Sequence, residues 1–242
     1  MLVGAIPEGF FSRQAGIKRW VLVQRRTDLA EAQASAVLAG IAEVDWEALY
    51  HAYGPASDVP VLLDAVTVGD DATRAAAWWE LWGNIHHQGS VYEATLPAVD
   101  PLVALATWKA YPDRVEALRM LREVAGSEDV RVWHHGADGQ IVHDEHRQRE
   151  VRNALLGAVQ QHTDELVGSW REESEVVRRA QLWLLSVLPA VVHRYRDLVD
   201  AVLPAHYDEL WRGLVAGEEF DEEQEDRLYE LEAWIQASDE DG

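Results

Sequence analysis

Apolar positions along most of the chain recur at three- and four-residue intervals, and capping residues, glycine or proline interrupt them at short spacing. The clearest case follows Asp70, where Ala75, Trp78, Trp79 and Trp82 come at helical spacing. This period places the side chains on one face of a helix. No stretch shows the sustained alternation of period two that marks a half-buried strand. The pattern therefore predicts an all-α protein of about ten to a dozen short helices.

Capping residues, glycine and proline set the expected bounds of these helices. Aspartate or serine accepts hydrogen bonds from the first free amides, glycine takes the left-handed conformation after the last turn, and proline is tolerated in the first turn. Asp58, followed by Pro60, therefore begins one predicted helix, and Ser174 begins another. The predicted helices cover residues 27–39, 46–53, 59–68, 71–88, 91–98, 101–110, 113–125, 144–170, 175–188, 191–202, 205–215 and 221–237.

The helical pattern is interrupted once and is absent at both ends. Residues 127–143 are rich in the turn formers glycine and aspartate and are expected to interrupt the helices, with a short extended piece at 130–133. We expect a single domain over 27–237, an irregular or disordered arm over 1–26, and a frayed acidic tail over 238–242.

Two of the predicted helix pairs look alike at a fixed offset. Arg74 near the start of one helix corresponds to Arg114 near the start of another, about 40 residues further on. Each of these helices follows a helix that begins near a proline, Pro60 or Pro101, and a third copy begins at Ser174. Helix pairs that repeat at about 40 residues are typical of helical solenoids, in which each pair buries its face against its neighbours.

Several short motifs carry a resemblance to a known family. They are Asp45-Trp46, His51-Ala-Tyr-Gly54, Asp58-Val-Pro60, Trp82-Gly-Asn-Ile-His-His-Gln-Gly89, Val91-Tyr-Glu-Ala-Thr95 and Asp113-Arg-Val-Glu-Ala-Leu118. With these motifs, roughly residues 45–125 resemble a group of uncharacterised bacterial HEAT-repeat-like proteins. The resemblance implies a short, curved α-solenoid of helical hairpins and the binding of other proteins, and it implies no catalytic residue. The chain departs from the pattern at Asp100 and in the interrupted stretch.

Composition excludes several classes of protein. The 242 residues include no cysteine, which excludes disulfides, thiolate zinc sites and a cysteine nucleophile. No apolar run reaches the roughly 18 residues of a membrane span, and the run at 20–23 is too short for the core of a signal peptide. We therefore expect a cytoplasmic protein that does not enter a membrane.

The charge of the chain is strongly negative and unevenly placed. The formal net charge is −22, with basic residues concentrated in the first 26 positions and a dense acidic run at 218–226. Such a charge repels nucleic-acid phosphates, so direct nucleic-acid binding is disfavoured. It attracts a basic protein, although the same charge also serves solubility alone, and an acidic run is most often a solvated face.

Histidines supply the strongest candidates for chemistry. His134, His135, His143 and His146 lie close together in the sequence, and His143 and His146 have the spacing of paired metal ligands on a helix. The competing interpretation is a polar loop followed by a solvated first helical turn. Elsewhere, His87 lies at the predicted end of a helix, where a histidine more often caps the helix than acts as a catalytic base. No His-Glu-x-x-His motif is present.

The tryptophans offer a second candidate site. Tryptophan is enriched at interface hot spots, but helical spacing more often indicates core packing. Because Trp78 and Trp79 are adjacent, one of them must point away from the centre of the stripe and reach the edge of a groove.

These observations favour a non-enzymatic protein-interaction module that needs no cofactor or metal and binds another, basic protein. One concrete form is an immunity protein or antitoxin that blocks a basic bacterial toxin. The alternative is a ligand- or metal-binding protein, or an enzyme, that uses histidines in the solenoid groove, and a third hypothesis is a structural subunit of a larger assembly. The residues expected to contact the partner are His51, Tyr53, Trp79, His87, Tyr92, Glu218, Glu219, Asp221, Glu222 and Glu223.

Overall fold

The computed structural model describes residues 28–135 and 141–236, with the side chains of 31–132 and 144–236, and it is mostly helical. The α-helices are α1 (Asp28–Val37), α2 (Val59–Val68), α3 (Asp71–Ile85), α4 (Val99–Thr107), α5 (Arg114–Gly126), α6 (Glu145–Gln161), α7 (Thr163–Val167), α8 (Glu175–Leu185), α9 (Pro189–Val192), α10 (Arg196–Val202), α11 (Asp208–Ala216) and α12 (Glu222–Gln236). Short 3-10 helices cover Ile41–Glu43, Glu93–Ala98, Trp170–Glu172, His193–Tyr195 and Ala205–Tyr207. The helical class predicted from the sequence is confirmed.

The expected capping residues start three of the long helices. The Asp70 carboxylate accepts a hydrogen bond from the Thr73 amide at 2.8 Å in the first turn of α3. Asp144 does the same at the start of α6, and Ser174 at the start of α8. Each of these side chains satisfies an amide that has no partner within its helix.

The helices bury one large apolar core and a smaller second cluster formed by α8, the 3-10 helix Ala205–Tyr207, α11 and α12. Helices α2 and α3 pack against each other, as do α4 and α5, and α5 also packs on α6 and α8. Leu63, Leu81, Leu102, Leu118 and Leu184 are fully buried between them. Burial of a leucine side chain stabilises the folded state by roughly 1.5–3 kcal/mol. Helix α12 packs on α8.

Two buried arginines connect successive helix pairs. Nε of Arg74, near the start of α3, donates to Asp113 Oδ2 at 2.7 Å, just before α5. The guanidinium of Arg114, at the start of α5, donates two hydrogen bonds to the carboxylate of Glu173, just before α8, at 2.8 and 3.0 Å. The two arginines singled out at corresponding sequence positions therefore make corresponding contacts.

Short strands join the ends of some helices. Strand β1 (Tyr50–His51) pairs antiparallel with β2 (Gly54–Pro55), and β3 (His86–His87) pairs antiparallel with β4 (Ser90–Tyr92). Strand β4 also pairs in parallel with β5 (Asp129–Arg131), and β6 (Trp133–His135) pairs antiparallel with β7 (Ile141–His143). The purely all-α prediction is corrected to this extent, because strands of two or three residues carry too few positions to show a period.

The helix predicted at 46–53 is wrong. Trp46 is buried and its indole Nε1 donates to the Ile41 carbonyl at 2.8 Å, and the chain then enters the β1–β2 hairpin. The helix predicted at 91–98 is replaced by the end of β4 and the 3-10 helix Glu93–Ala98. In both segments tertiary contacts outweigh the local helical pattern.

The predicted arm over 1–26 and the predicted tail over 238–242 lie outside the described residues. Within the described ranges no helix has both the length and the apolar character needed to cross a membrane.

Candidate functional site

The outward face of α3 carries an exposed tryptophan, and its one fully exposed charge is the carboxylate of Asp71 on the first turn. Trp79 is 73% exposed, the highest value among the large hydrophobic side chains that the structure describes as exposed. Ala72 and Ala75 are exposed on the preceding turns, and Ala76 and Gly83 are half-buried beside it. A large apolar side chain that is exposed among small residues makes this face a candidate interaction surface on a chain with a net charge of −22.

A groove runs between this face and α5. Two hydrogen-bonded pairs bridge its walls, Arg74 to Asp113 at 2.7 Å and Trp82 Nε1 to Glu116 Oε1 at 2.5 Å. The groove encloses about 690 Å³ and is open to solvent along one side. Its lining residues are Asp71, Arg74, Ala75, Trp78, Trp79, Trp82, Pro112, Asp113, Val115, Glu116 and Arg119.

The charge that the groove presents to solvent is negative. The Arg74 guanidinium is buried and donates to Asp113, to Asp71 and to the Gly69 carbonyl. The Asp71 side chain is 86% exposed, and that of Glu116 is about one-third exposed. A carboxylate has about four lone-pair sites, so one that already accepts one or two hydrogen bonds can accept more. The groove therefore offers acceptors at its edge and apolar surface at its base.

The two adjacent tryptophans divide between core and groove. Trp78 is buried in the core, as the helical spacing predicts, whereas Trp82 is half-buried and Ala75 and Trp79 are exposed, so the predicted buried stripe is only partly confirmed. The expectation that one of the pair reaches a groove edge is met by Trp79, because successive helical side chains point about 100° apart.

Tyr53 extends the exposed aromatic surface beyond Gly83. Its ring lies 3.9 Å from the point that a Cβ on Gly83 would occupy, and 39% of the residue is exposed. Its hydroxyl is hydrogen-bonded to His87 Nδ1 at 3.0 Å, and the two rings meet edge to face. Two of the predicted contact residues, Tyr53 and His87, are therefore brought together next to the α3 face. We call Trp79, Tyr53 and the groove between α3 and α5 the Trp79 surface.

A buried histidine holds the hairpin that carries Tyr53. His51 Nδ1 accepts a hydrogen bond from the Tyr53 amide at 3.0 Å, and Nε2 meets Asp58 Oδ1 at 2.8 Å. Because an amide can only donate, Nδ1 carries no proton and Nε2–H donates to the carboxylate. The second oxygen of Asp58 accepts from the Asn84 side chain at 2.9 Å. Asp58 was expected to cap α2, but its side chain makes no capping bond and fixes the β1–β2 hairpin instead.

Two of the predicted partner contacts are corrected by their burial. His51 and Tyr92 are 3% and 1% exposed, so neither can touch a partner while the fold is intact. Burial raises the pKa of the Tyr92 hydroxyl, which keeps it protonated at neutral pH. Beside it, Ser90 donates to Asp129 at 2.5 Å, and this bond together with Arg131 holds the pKa of that carboxyl below its usual value.

His86 adds no charge to the surface at neutral pH. It is half-buried with its ring edge to face against Trp82, and burial lowers the pKa of the imidazole below its ordinary value of 6.5. The end of α3 therefore remains neutral at physiological pH.

The acidic run lies at a different place, on the connection between α11 and α12 and on the first turns of α12. Glu218, Glu219, Asp221, Glu222 and Glu223 are all exposed. Asp221 and Gln224 cap α12 through reciprocal backbone bonds, and carboxylates are favoured at a helix N-terminus. The other end of α12 touches the groove, because Arg119 donates to the Gln236 carbonyl at 3.2 Å. Fifteen helical residues span roughly 22 Å, which separates the start of α12 from the groove.

The structure brings no metal site together in the part of the chain that it describes. No group of three or more histidine, cysteine or acidic side chains there is arranged to hold an ion. His146 lies 3.5 Å from Glu150 on α6. The backbones of His134, His135 and His143 lie in β6 and β7, and their side chains lie outside the described residues.

Comparison of the chain with protein-family models, with curated proteins and with solved structures finds no match. The geometry of the Trp79 surface therefore carries the functional inference.

Proposed function

We propose that the chain is a non-enzymatic protein-interaction module that binds a basic protein through the Trp79 surface. In its concrete form the module is an immunity protein or antitoxin that covers the active site of a basic toxin. The helices would form HEAT-like repeats, with α2–α3 and α4–α5 as successive pairs. The arginine contacts from Arg74 to Asp113 and from Arg114 to Glu173 support that arrangement, since each links one pair to the next.

The exposure of Trp79 is the observation that carries the proposal. A tryptophan buries 150–250 Å² when it is covered, so leaving 73% of it in water forgoes several kcal/mol by area. Apart from Asp71, the other exposed positions on α3 are Ala72 and Ala75, and alanine loses no side-chain entropy when a partner covers it. A rigid helix that presents one tryptophan among small residues is well suited to act as a binding hot spot.

The charge of the chain supports a basic partner. A net charge of −22 attracts a protein of opposite sign and accelerates its association at low ionic strength. The net charge does not define where the partner makes contact, and we assign that contact to the Trp79 surface.

The proposal is tested by an affinity pull-down from lysate of the source cell, at low and at high salt, with identification of the bound proteins. Wild type is compared with Trp79→Ala and with Tyr229→Ala. Tyr229 is the matched control, because it is an aromatic residue with 70% exposure on α12. We expect wild type and Tyr229→Ala to retain the same basic protein and Trp79→Ala to lose it. Retention of that protein by Trp79→Ala, or the absence of any specific partner at either salt concentration, would contradict the proposal.

A further inference from the structure

The groove between α3 and α5 combines an apolar base with a carboxylate edge. Ala75, Trp82 and Val115 contribute apolar surface, and the exposed indole of Trp79 stands beside them. The carboxylates of Asp71 and Glu116 face solvent from the same groove. This combination matches the chemistry of an arginine or lysine side chain, which has an apolar stem and a cationic head.

The cationic groups of the groove do not cancel this match. The Arg74 guanidinium is buried and its nitrogens are engaged by two carboxylates and a carbonyl. Arg119 is directed partly toward the end of α12, where it donates to the Gln236 carbonyl, and it lies 3.8 Å from Glu116. Three carboxylates and two guanidinium groups line the groove, so its lining carries a net charge of −1.

We infer that the groove between α3 and α5 binds a positively charged side chain of the partner, with a neighbouring apolar residue, against the indole of Trp79. The inference rests on the proposed function and names the chemistry that its surface recognises. A cation over an indole face is attracted by the ring quadrupole, and tryptophan is the strongest of the aromatic side chains in this respect. The apolar neighbour covers the base of the groove, whose volume of about 690 Å³ exceeds that of a single side chain.

The inference assigns different roles to the groove and to the acidic run. Along α12, Glu222 and Asp226 lie roughly 21 and 15 Å from Gln236, the residue that Arg119 contacts, and both separations exceed the screening length of roughly 8 Å at physiological salt. At those separations the acidic run does not share one bound side chain with Trp79. Its charge attracts the partner during approach, and the groove retains the partner once bound.

The test uses two tripeptides, acetylated and amidated, as probes. One is Leu-Arg-Leu and the other is Leu-citrulline-Leu, in which a neutral side chain of the same shape replaces arginine. The full chain is labelled with 5-fluorotryptophan, and its fluorine resonances are followed by NMR during titration. The resonance of Trp79 among the 11 tryptophans is assigned by its loss in Trp79→Phe. A probe with a single charge limits binding elsewhere on this acidic protein.

We expect the arginine peptide to shift the Trp79 resonance, and the citrulline peptide to bind about fivefold more weakly. Glu116→Gln should weaken binding of the arginine peptide by a similar factor. The substitution removes only the charge, because the glutamine side chain can still accept the hydrogen bond from Trp82. Glu222→Gln is the matched control on α12 and should leave the binding unchanged.

Equal binding of the two peptides would overturn the inference, as would shifts confined to other tryptophans. These results are distinguishable from failure of the proposed function. If Trp79→Ala loses the partner in the pull-down while the two peptides bind equally well, that result would support the protein-binding function and contradict the recognition of a cation.

Discussion

At the scale of single residues, the ion pair of Arg114 and Glu173 carries more stability than the many pairs on the surface. Both side chains are buried, and their two hydrogen bonds join α5 to the segment before α8. Lys109 and Glu172 form a pair of similar length, 2.7 Å against 2.8 Å, but both side chains are mostly exposed. Burial makes the loss of one partner costly, because the other charge is left without compensation.

Replacement of Glu173 should therefore destabilise the protein, and replacement of its neighbour should not. We expect Glu173→Gln to lower the free energy of unfolding by about 3 kcal/mol. Glu172→Gln, the matched control, should leave it nearly unchanged, because exposed pairs are screened by water. Urea denaturation followed by tryptophan fluorescence measures both. Equal effects of the two substitutions would refute the view that the Arg114–Glu173 contact links the helix pairs.

The same pair predicts a pH dependence. Hydrogen bonds from Arg114 hold the pKa of Glu173 below its ordinary value. A carboxyl whose pKa is lower in the folded state contributes stability above its unfolded pKa, and the contribution is lost as the pH falls through its folded value. The difference in unfolding free energy between wild type and Glu173→Gln should be complete at pH 7 and should shrink below about pH 4. A difference that stays constant from pH 7 to pH 3 would show that the charge of Glu173 plays no part.

At the scale of elements, the β1–β2 hairpin is held by Asp58. This residue precedes α2, but its side chain does not cap that helix. Asp58 stands at the start of α2 and binds His51 and Asn84. Asp70 stands at the start of α3 and caps it through the Thr73 amide. Two aspartates in equivalent sequence contexts therefore perform different tasks.

Substitution of each aspartate by alanine distinguishes the two roles. We expect Asp58→Ala to cost about 2 kcal/mol and to accelerate hydrogen exchange at the Tyr53 amide, whose acceptor His51 loses its anchor. Asp70→Ala should destabilise the protein less than Asp58→Ala, through the lost cap, and should leave exchange at that amide unchanged, apart from the general loss of stability. Hydrogen exchange followed by NMR provides the measurement. Slow exchange at Tyr53 in Asp58→Ala would contradict the role assigned to the hairpin network.

Helix periodicity made most of the fold predictable from the sequence, and tertiary contacts explain the exceptions. The caps at Asp70 and Ser174 were readable because each precedes an apolar period. The β3–β4 turn was not, although Gln88 and Gly89 both have positive φ, at 51° and 83°, as hairpin turns of two residues require. The spacing of the stripe likewise predicted a buried face but gave no means of telling whether Trp78 or Trp79 would lie outside it. The alanines around Trp79 gave no signal of its exposure, because exposed helical positions are usually polar and alanine there indicates a buried face.

At the scale of the whole molecule, the proposed function assigns attraction of the partner to the net charge and retention of the partner to the Trp79 surface. Charge distributed over the chain acts through the diffuse field that governs encounter, and buried apolar contact governs how long the complex lasts. The acidic run and the groove lie at opposite ends of α12, so substitutions can address them separately.

This division predicts opposite kinetic signatures for two variants. Neutralising Glu218, Glu219, Glu222 and Glu223 to glutamine should slow association with the recovered partner about tenfold at low salt and leave its dissociation nearly unchanged. Trp79→Ala should accelerate dissociation about tenfold or more with little effect on association. Surface plasmon resonance at two salt concentrations separates the two rates. Faster dissociation from the neutralised variant would mean that the acidic run touches the partner.

The most direct measurement of the central claim is hydroxyl-radical footprinting of the wild-type protein with and without the basic partner recovered from lysate. Trp79 and Tyr229 are exposed to almost the same extent, 73% and 70%, and so serve as probe and internal reference in one molecule. The account predicts that the partner strongly reduces oxidation of Trp79 and leaves oxidation of Tyr229 unchanged. Protection of Tyr229 and of the segment 218–226, with Trp79 still oxidised at its free rate, would place the binding surface on α12 and contradict the account.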